Sequence, residues 1–344
     1  MSEEYMVSSI QPLSDSAIHY LNYEWANYPN REDAFVEREE ELRWIQSALR
    51  DNAIIVLSGG GGIGKTWLIN SFLHTKIKSD VAVFVYNAPS YTMNVSLLHD
   101  FFWSLLASLF PKKIPNKLRE SARNFYKFSK KDQVDLISDV VLQKNNLIII
   151  DNYTSKYCVD LRELISSIQK KSAYGSKIIL SGRQIKPMAN TPHLILEGLT
   201  KKQLTHFYNR TIQSGCISQE EIDVIWSKTW GIPVLNKLIQ SEIANKTSVF
   251  YNQQSLDRLI YFEQIQDYLY RLFIGLSQRD KKILKLLMRN HLLDKLEVFA
   301  FSWVSPSKVG KKISEEYITR SIVYESSHGI IIPEITKEFF QLIY

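Results

Sequence analysis

The chain has 344 residues, 45% hydrophobic and 12% aromatic, enough apolar matter to bury more than one core and too much for a disordered tail. Its net charge of +6 admits an acidic partner, nucleic acid or nucleotide phosphate, without requiring one. Cys158 and Cys216 are too few for a disulfide framework and lack metal-ligand spacing, the opening MSEEYMVSSIQPL has no signal-peptide character, and no apolar run is long enough to span a bilayer, so a reduced, cytoplasmic protein is expected.

Residues 1–34 mix aromatics (Tyr20, Tyr23, Trp25, Tyr28) with polar residues and show little periodicity. From Phe35 the pattern sharpens: FVEREEELRWIQSAL sets Leu42, Ile45, Ala48 and Leu49 on one helical face. Ala53 to Leu57 is a short apolar run, read as a buried strand, and a glycine-rich loop follows it. TWLINSFL then predicts a helix, Val81 to Ala88 a second strand, and Ser96 to Phe110 an amphipathic helix. Between Pro111 and Lys131 basic residues concentrate (Lys112, Lys113, Lys117, Arg119, Arg123, Lys127, Lys130, Lys131), a pattern read first as a solvated helix face and second as a nucleic-acid patch.

Leu147 to Ile150 predicts a third strand ending in Asp151, Lys177 to Leu180 a fourth, and His193 to Leu196 a fifth. Strands alternating with helices predict a parallel sheet covered on both faces. From about Thr200 the strands stop, and QLTHFYNRTI, EEIDVIWSKTW and IPVLNKLIQSEIA read as a small helical lid. After Gly275 come helical patterns at LSQRDKKILKLLM, near SKVGKKI and near SEEYITRSIV, then a strand-like SHGIIIP and a last helix TKEFFQLIY, an order that suggests a winged helix.

The chemistry gathers on GGGGIGKT. Gly59, Gly60, Gly61, Gly62, Ile63, Gly64, Lys65 and Thr66 satisfy G-x-x-x-x-G-K-[ST] between a predicted strand and a predicted helix, the context the motif needs. Glycines let backbone N–H groups converge on phosphate oxygens, and the helix N-terminus adds its positive dipole end. Lys65 can reach the β- and γ-phosphates, the Thr66 hydroxyl can ligate Mg²⁺, and Trp67, next in the helix, belongs to the same binding set. Asp151 closes the LIII run at the carboxyl edge of the sheet and is read as the Walker B aspartate at the metal. Its successor is Asn152, whose amide accepts no proton at neutral pH, so slow hydrolysis is expected. Arg183, after the fourth strand, can point at a γ-phosphate, and Pro233 in Gly231-Ile232-Pro233 can start a helix and offer an apolar face to a base.

FVEREEEL, SGGGGIGKTWL, LIIIDN, IILSGR and WGIP, in that order, resemble the STAND class of P-loop ATPases, which includes NB-ARC and NACHT-type switches and is related to AAA+ proteins. The resemblance runs over roughly residues 35–344. It implies an α/β fold: an AAA+-like P-loop NTPase core at 35–198, a helical lid at 199–274 and a winged helix at 275–344, after an N-terminal extension at 1–34. It also implies ATP or ADP with Mg²⁺ as cofactors, Arg38 near the base or ribose, Arg183 as a γ-phosphate sensor, and Pro233 on the adenine side. The implied activity is that of a slow ATPase switch, whose nucleotide state governs self-association or a protein partner, in defence or stress signalling. Glu37 stands where such proteins usually carry glycine, and IIIPEITKEF holds no histidine where many relatives place one. The chain stops after the winged helix, so no repeat sensor is expected within it.

The competing reading is a DNA-associated AAA+-type ATPase, of the origin-recognition or transposition-helper kind, that would use the winged helix on DNA. Its recognition helix, SEEYITRSIVY, offers Arg320 against Glu315 and Glu316, with Lys308, Lys311 and Lys312 upstream, so DNA is the less favoured partner. A near-inactive nucleotide-binding scaffold is the third reading.

Overall fold

The computed structural model describes residues 38–76, 82–88, 96–110, 113–142, 146–154, 158–171, 176–183, 185, 188–211, 217–245, 263–289, 317–318, 320–326 and 329–344. The 1–34 extension and Cys216 lie outside them, as do Lys308, Lys311, Lys312, Glu315 and Glu316 of the expected recognition segment. The chain divides into two compact units. Of the described residues, the first takes up those within 39–58 and 66–194; the second takes up Arg38, 59–65 and those within 195–344.

In the first unit, α1 (Glu39–Asp51) leads into β1 (Ile54–Ser58), and α2 (Lys65–Lys76) follows the glycine loop. Then come β2 (Ala82–Asn87), α3 (Leu97–Leu109), α4 (Asn116–Arg123), a 3-10 turn (Phe125–Lys127) and α5 (Lys130–Leu142). β3 (Asn146–Asp151), α6 (Val159–Lys171), β4 (Lys177–Gly182) and β5 (His193–Ile195) complete the order. The five strands form one sheet in the order β2-β3-β4-β1-β5, and the β2–β3, β3–β4 and β4–β1 pairings are parallel. β1 and β2 are therefore neighbours in sequence but not in the sheet, with β4 and β3 between them.

The strands are apolar throughout because both faces are covered. One face carries Ile54, Val56, Phe84, Tyr86, Ile148, Ile150, Ile178 and Leu180 into a core with α3, α5 and α6. The alternate residues, Ile55, Leu57, Val83, Val85, Leu147, Ile149 and Ile179, are buried as well, and α1 packs on β1 with Leu42, Ile45 and Leu49 inward. Each such side chain contributes about 1.5–3 kcal/mol on burial. Helix α5 ends against the sheet through one acceptor: the Val141 carbonyl takes a hydrogen bond from Asn146 Nδ2 at 2.9 Å and one from Ser176 Oγ at 2.7 Å. An otherwise orphaned C-terminal carbonyl is thus satisfied by the residues that open β3 and precede β4. Cys158 is free and buried in this core, which raises its thiol pKa and keeps it inert.

The second unit is mainly helical: α7 (Lys201–Thr211), α8 (Gln219–Thr229), α9 (Pro233–Asn245), α10 (Glu263–Phe273) and α11 (Gln278–Arg289). An antiparallel hairpin, β6 (Tyr324–Ser326) with β7 (Gly329–Ile331), and α12 (Glu334–Ile343) follow. Ser218 and Glu221 form a capping box that starts α8. α8 ends on Trp230 in the left-handed conformation (φ 52°), followed by Gly231 (φ 66°), and Pro233 then opens α9. A buried polar chain ties α7, α8 and α9. Tyr208 OH donates to Asn236 at 3.2 Å, and Asn236 Nδ2 donates to Thr229 Oγ1 at 3.2 Å and to the Ile232 carbonyl at 2.9 Å. Lys228 and Glu338 bridge α8 to α12 at 2.9 Å, and Phe273 packs on Phe339 and Phe340. No described helix is long and apolar enough to cross a membrane.

Phe102 is fully buried and stacks on Phe125 at 5.2 Å. Phe102→Ala is expected to destabilise the first unit by about 3–5 kcal/mol. Chemical denaturation followed by circular dichroism checks this, and a loss under about 1 kcal/mol would contradict the packing described.

Candidate functional site

In the first unit, Asp151 closes β3 at the carboxyl end of the parallel sheet, 3% exposed. A parallel strand leaves its final carboxylate facing the space where helices begin, so ligands collect there. Asp151 Oδ2 accepts the Thr66 hydroxyl at 2.8 Å, and Asp151 Oδ1 accepts the backbone N–H of Asn152 at 2.9 Å. Thr66 stands in the first turn of α2, so this bond fixes the start of that helix to the end of β3.

Asn152 is left-handed (φ 55°), a conformation asparagine tolerates better than most residues. Its side-chain amide donates to Asn87 Oδ1 at 2.7 Å at the end of neighbouring β2. An uncharged amide pair therefore occupies the sheet edge beside Asp151. Tyr153, next in the chain, is buried and donates its N–H to the Ser181 carbonyl at 2.8 Å. Arg183 follows β4 directly and is half-buried at the same carboxyl edge. Ser58, the last residue of β1, shares a 2.6 Å hydrogen bond with His193 of β5.

The second unit holds the glycine loop itself. Lys65 is 8% exposed, and its Nζ donates to the Gly59 carbonyl at 2.8 Å and to the Gly60 carbonyl at 2.9 Å. The loop is wrapped around its own ammonium, which draws those carbonyls together. Arg38, 4% exposed, donates through Nη2 to the Ile63 carbonyl at 3.2 Å and to the Glu197 carbonyl at 3.0 Å. The arginine expected at a base or ribose is thus a brace between the loop and the residues after β5. The Val234 N–H, in the first turn of α9, donates to the Gly62 carbonyl at 3.2 Å. Gly62 needs its positive φ of 73°, and a Cβ there would also strike Val234. Pro233 approaches the loop as well, with its Cγ 3.7 Å from where a Gly64 Cβ would stand.

The contact that no motif announces comes from the hairpin. Tyr324 of β6, 5% exposed, lies against Gly60 so closely that a Cβ at Gly60 would overlap its ring. Its hydroxyl donates to the Gly61 carbonyl at 3.3 Å. The sequence places Tyr324 at the close of the recognition helix SEEYITRSIVY; it opens strand β6 instead, because its ring is buried against the loop, and that role has no signal in the segment. Lys65, Arg38, Pro233 and the glycines converge around the loop in the second unit, while Thr66, Asp151 and Arg183 share the sheet edge in the first. Trp67 follows Thr66 in α2 and is half-buried.

Each unit holds groups of a kind that a triphosphate or a divalent cation would need. The loop has room for backbone alone at Gly60 and Gly62. Its lysine brings a buried positive charge. A hydroxyl and a carboxylate, the oxygen ligands a hard cation prefers, lie in hydrogen-bond contact. Among the described residues no cluster of His, Cys, Asp and Glu offers a competing metal site.

No family model matches the chain, and no curated protein matches it either. Solved structures do. A Walker-type ATPase of Pyrococcus abyssi is similar over 91% of this chain and 99% of its own length, at 16% identity and a TM-score of 0.63. A STAND protein with a tetratricopeptide repeat sensor from Pyrococcus horikoshii is similar over 94% of this chain, at 20% identity and a TM-score of 0.48, and this chain spans 44% of its length. The ORC1 protein of Aeropyrum pernix, solved in complex with DNA, is similar over 95% of this chain and 96% of its own, at 13% identity and a TM-score of 0.47. The likeness to the Pyrococcus abyssi protein shows the fold, that of a Walker-type P-loop ATPase.

Because the Tyr324 ring occupies the space a Gly60 side chain would need, Gly60→Ala is expected to cost about 1–3 kcal/mol in the wild-type background and much less beside Tyr324→Ala. Thermal melts of the four proteins test this coupling, and additive losses would deny the contact.

Proposed function

We propose that this chain is a nucleotide-controlled switch: a slow ATPase in which the occupancy of the glycine loop governs the seat of the C-terminal hairpin, and through it self-association or the binding of a protein partner. The observation that carries this reading is Tyr324 on Gly60 and Gly61. A loop used only to hold phosphate needs no cover from a hairpin some 260 residues on, whereas a loop that reports its contents does.

Gly59 to Gly64 would cradle the phosphates, Lys65 would meet their charge, and Thr66 with Asp151 would hold Mg²⁺. Bound as the magnesium complex, ATP would supply the negative charge this loop is built to neutralise. Lys65 has three N–H donors, two already committed to loop carbonyls, so turning it toward another acceptor loosens the turn at Gly59 and Gly60. That movement falls under the Tyr324 ring. The hairpin is thereby sensitive to the loop, and the coupling acts in both directions. α11, the hairpin and α12 are read as parts of a winged helix, and α7 to α9 as the lid, with Pro233 on the base side.

Slow turnover follows from the sheet edge. Asp151 has both carboxylate oxygens engaged, and Asn152, turned toward Asn87, supplies no proton acceptor. Arg183 is assigned to sensing a γ-phosphate at the same edge.

Lys65→Ala is expected to weaken ATP and ADP binding by about 100-fold or more. Titration calorimetry reads the change, and undiminished affinity would remove the loop from nucleotide binding. Asn152→Glu is expected to raise turnover about tenfold by placing a carboxylate where a water can be activated. Tyr324→Ala should leave the protein folded, shift its preference between ADP and a non-hydrolysable ATP analogue, and change its elution on sizing with one of them. Identical nucleotide preference and elution in wild type and variant would show that the hairpin does not read the loop.

A further inference from the structure

The nucleotide reading leaves one surface of the first unit unexplained. Between α3 and α5 the chain runs from Lys113 to Lys127 with Glu120 as its one acid. Leu118, Ala122 and Phe125 turn inward to the core, which leaves Lys117, Glu120, Arg123 and Lys127 outward. Lys113, Lys117, Arg119, Arg123 and Lys127 form no ion pair among the described residues, whereas Lys130, at the margin, is bridged to Asp160 and Glu163 at 2.9 and 3.0 Å. Unpaired cations in a row are a solvated surface or a polyanion site. The aromatic residues decide between them.

Tyr126 is 74% exposed and Phe128 is 37% exposed, and Lys127 Nζ lies 5.7 Å from the Tyr126 ring centre. The turn that presents them is firmly built. Phe125 is buried between Phe102 and His99, with ring centres at 5.2 and 5.5 Å. Gln133 Nε2 donates to the Phe125 carbonyl at 2.9 Å and to the Phe128 carbonyl at 3.2 Å, spanning the turn from α5. Ser129 and Asp132 cap the helix that follows. A phenolic ring kept in water on a braced turn is an apolar face that burial would stabilise, and it stands among positive charges.

We propose that the surface formed by α4 and the Phe125–Lys127 turn binds single-stranded nucleic acid, with Tyr126 stacking on a base and Lys113, Lys117, Arg119, Arg123 and Lys127 along the phosphates. Stacking on an exposed ring flanked by cations is the chemistry of sequence-tolerant single-strand binding, since every base has a π-face. A duplex keeps its bases stacked inside and would leave Tyr126 without a partner. An acidic peptide would use the cations and waste the ring. This surface belongs to the first unit and is independent of the nucleotide reading.

Fluorescence anisotropy of the full chain with a labelled oligothymidylate of about 20 nucleotides tests the proposal. Binding is expected, with log K falling against log salt at a slope of about −3.5 if all the named cations take part. Tyr126→Ala should weaken it about tenfold, and Arg123→Glu with Lys127→Glu should weaken it further and flatten the salt slope. Both sets of residues face water, so circular dichroism should be unchanged. No binding, variants that bind like wild type, or equal displacement of the oligonucleotide by polyglutamate or by duplex would each overturn it.

Discussion

The hydrogen bond from Thr66 to Asp151 is the constraint on which the first unit's chemistry turns. It joins the first turn of α2 to the final residue of β3, residues 85 positions apart, and so fixes where that helix can begin. Asp151 can hold that place because the strand before it is apolar on both sides and sits between β2 and β4. A buried carboxylate is costly unless its oxygens are bonded, and Thr66 and the Asn152 N–H meet that need. The left-handed Asn152 is the local consequence: the chain must turn sharply to present its N–H to the preceding carboxylate.

The second unit treats the glycine loop differently. There the carbonyls are the gripped atoms: Lys65 draws in Gly59 and Gly60, Arg38 holds Ile63, Val234 holds Gly62, and Tyr324 reaches Gly61. With the carbonyls engaged, the loop has a defined shape supported by residues from widely separated parts of the sequence. The glycines make that shape possible. They give the backbone the positive φ that Gly59, Gly62 and Gly64 adopt, and they admit a tyrosine ring at Gly60 where any side chain would stand in its way.

Much of this was legible in residue pattern. The apolar runs at Ala53–Leu57, Leu147–Ile150 and Lys177–Leu180 read as strands and fall within β1, β3 and β4 but for Ala53, and the loop between β1 and α2 announced itself by spacing. Helix α5 did not. KKDQVDLISDVVL opens on charge directly after the basic stretch, which masks the helical spacing of Val134, Ile137, Val140 and Val141, all of them turned inward. Strand order was hidden as well, because crossovers are long enough to place β2 beside β3 or beside β1. Arg38 as a brace was not legible, since its acceptors are backbone carbonyls that carry no side-chain signature. Tyr324 was illegible for a stronger reason: its meaning lies in Gly60, and pattern within a window cannot join them.

The separation of Tyr324 from Gly61 by 263 positions also sets an order of assembly. Every residue of the first unit has been joined to the chain once residue 194 is made, so its sheet and flanking helices can form as they emerge, while the rest is still being synthesised. The glycine loop, though it lies early in the sequence, belongs to the unit completed last. At about 5–20 residues per second, roughly 15–50 seconds pass between the emergence of Gly61 and that of the tyrosine that covers it. For that interval a nascent chain carries its glycine loop without the ring that later covers it, and the hairpin must find the loop after the first unit has been made.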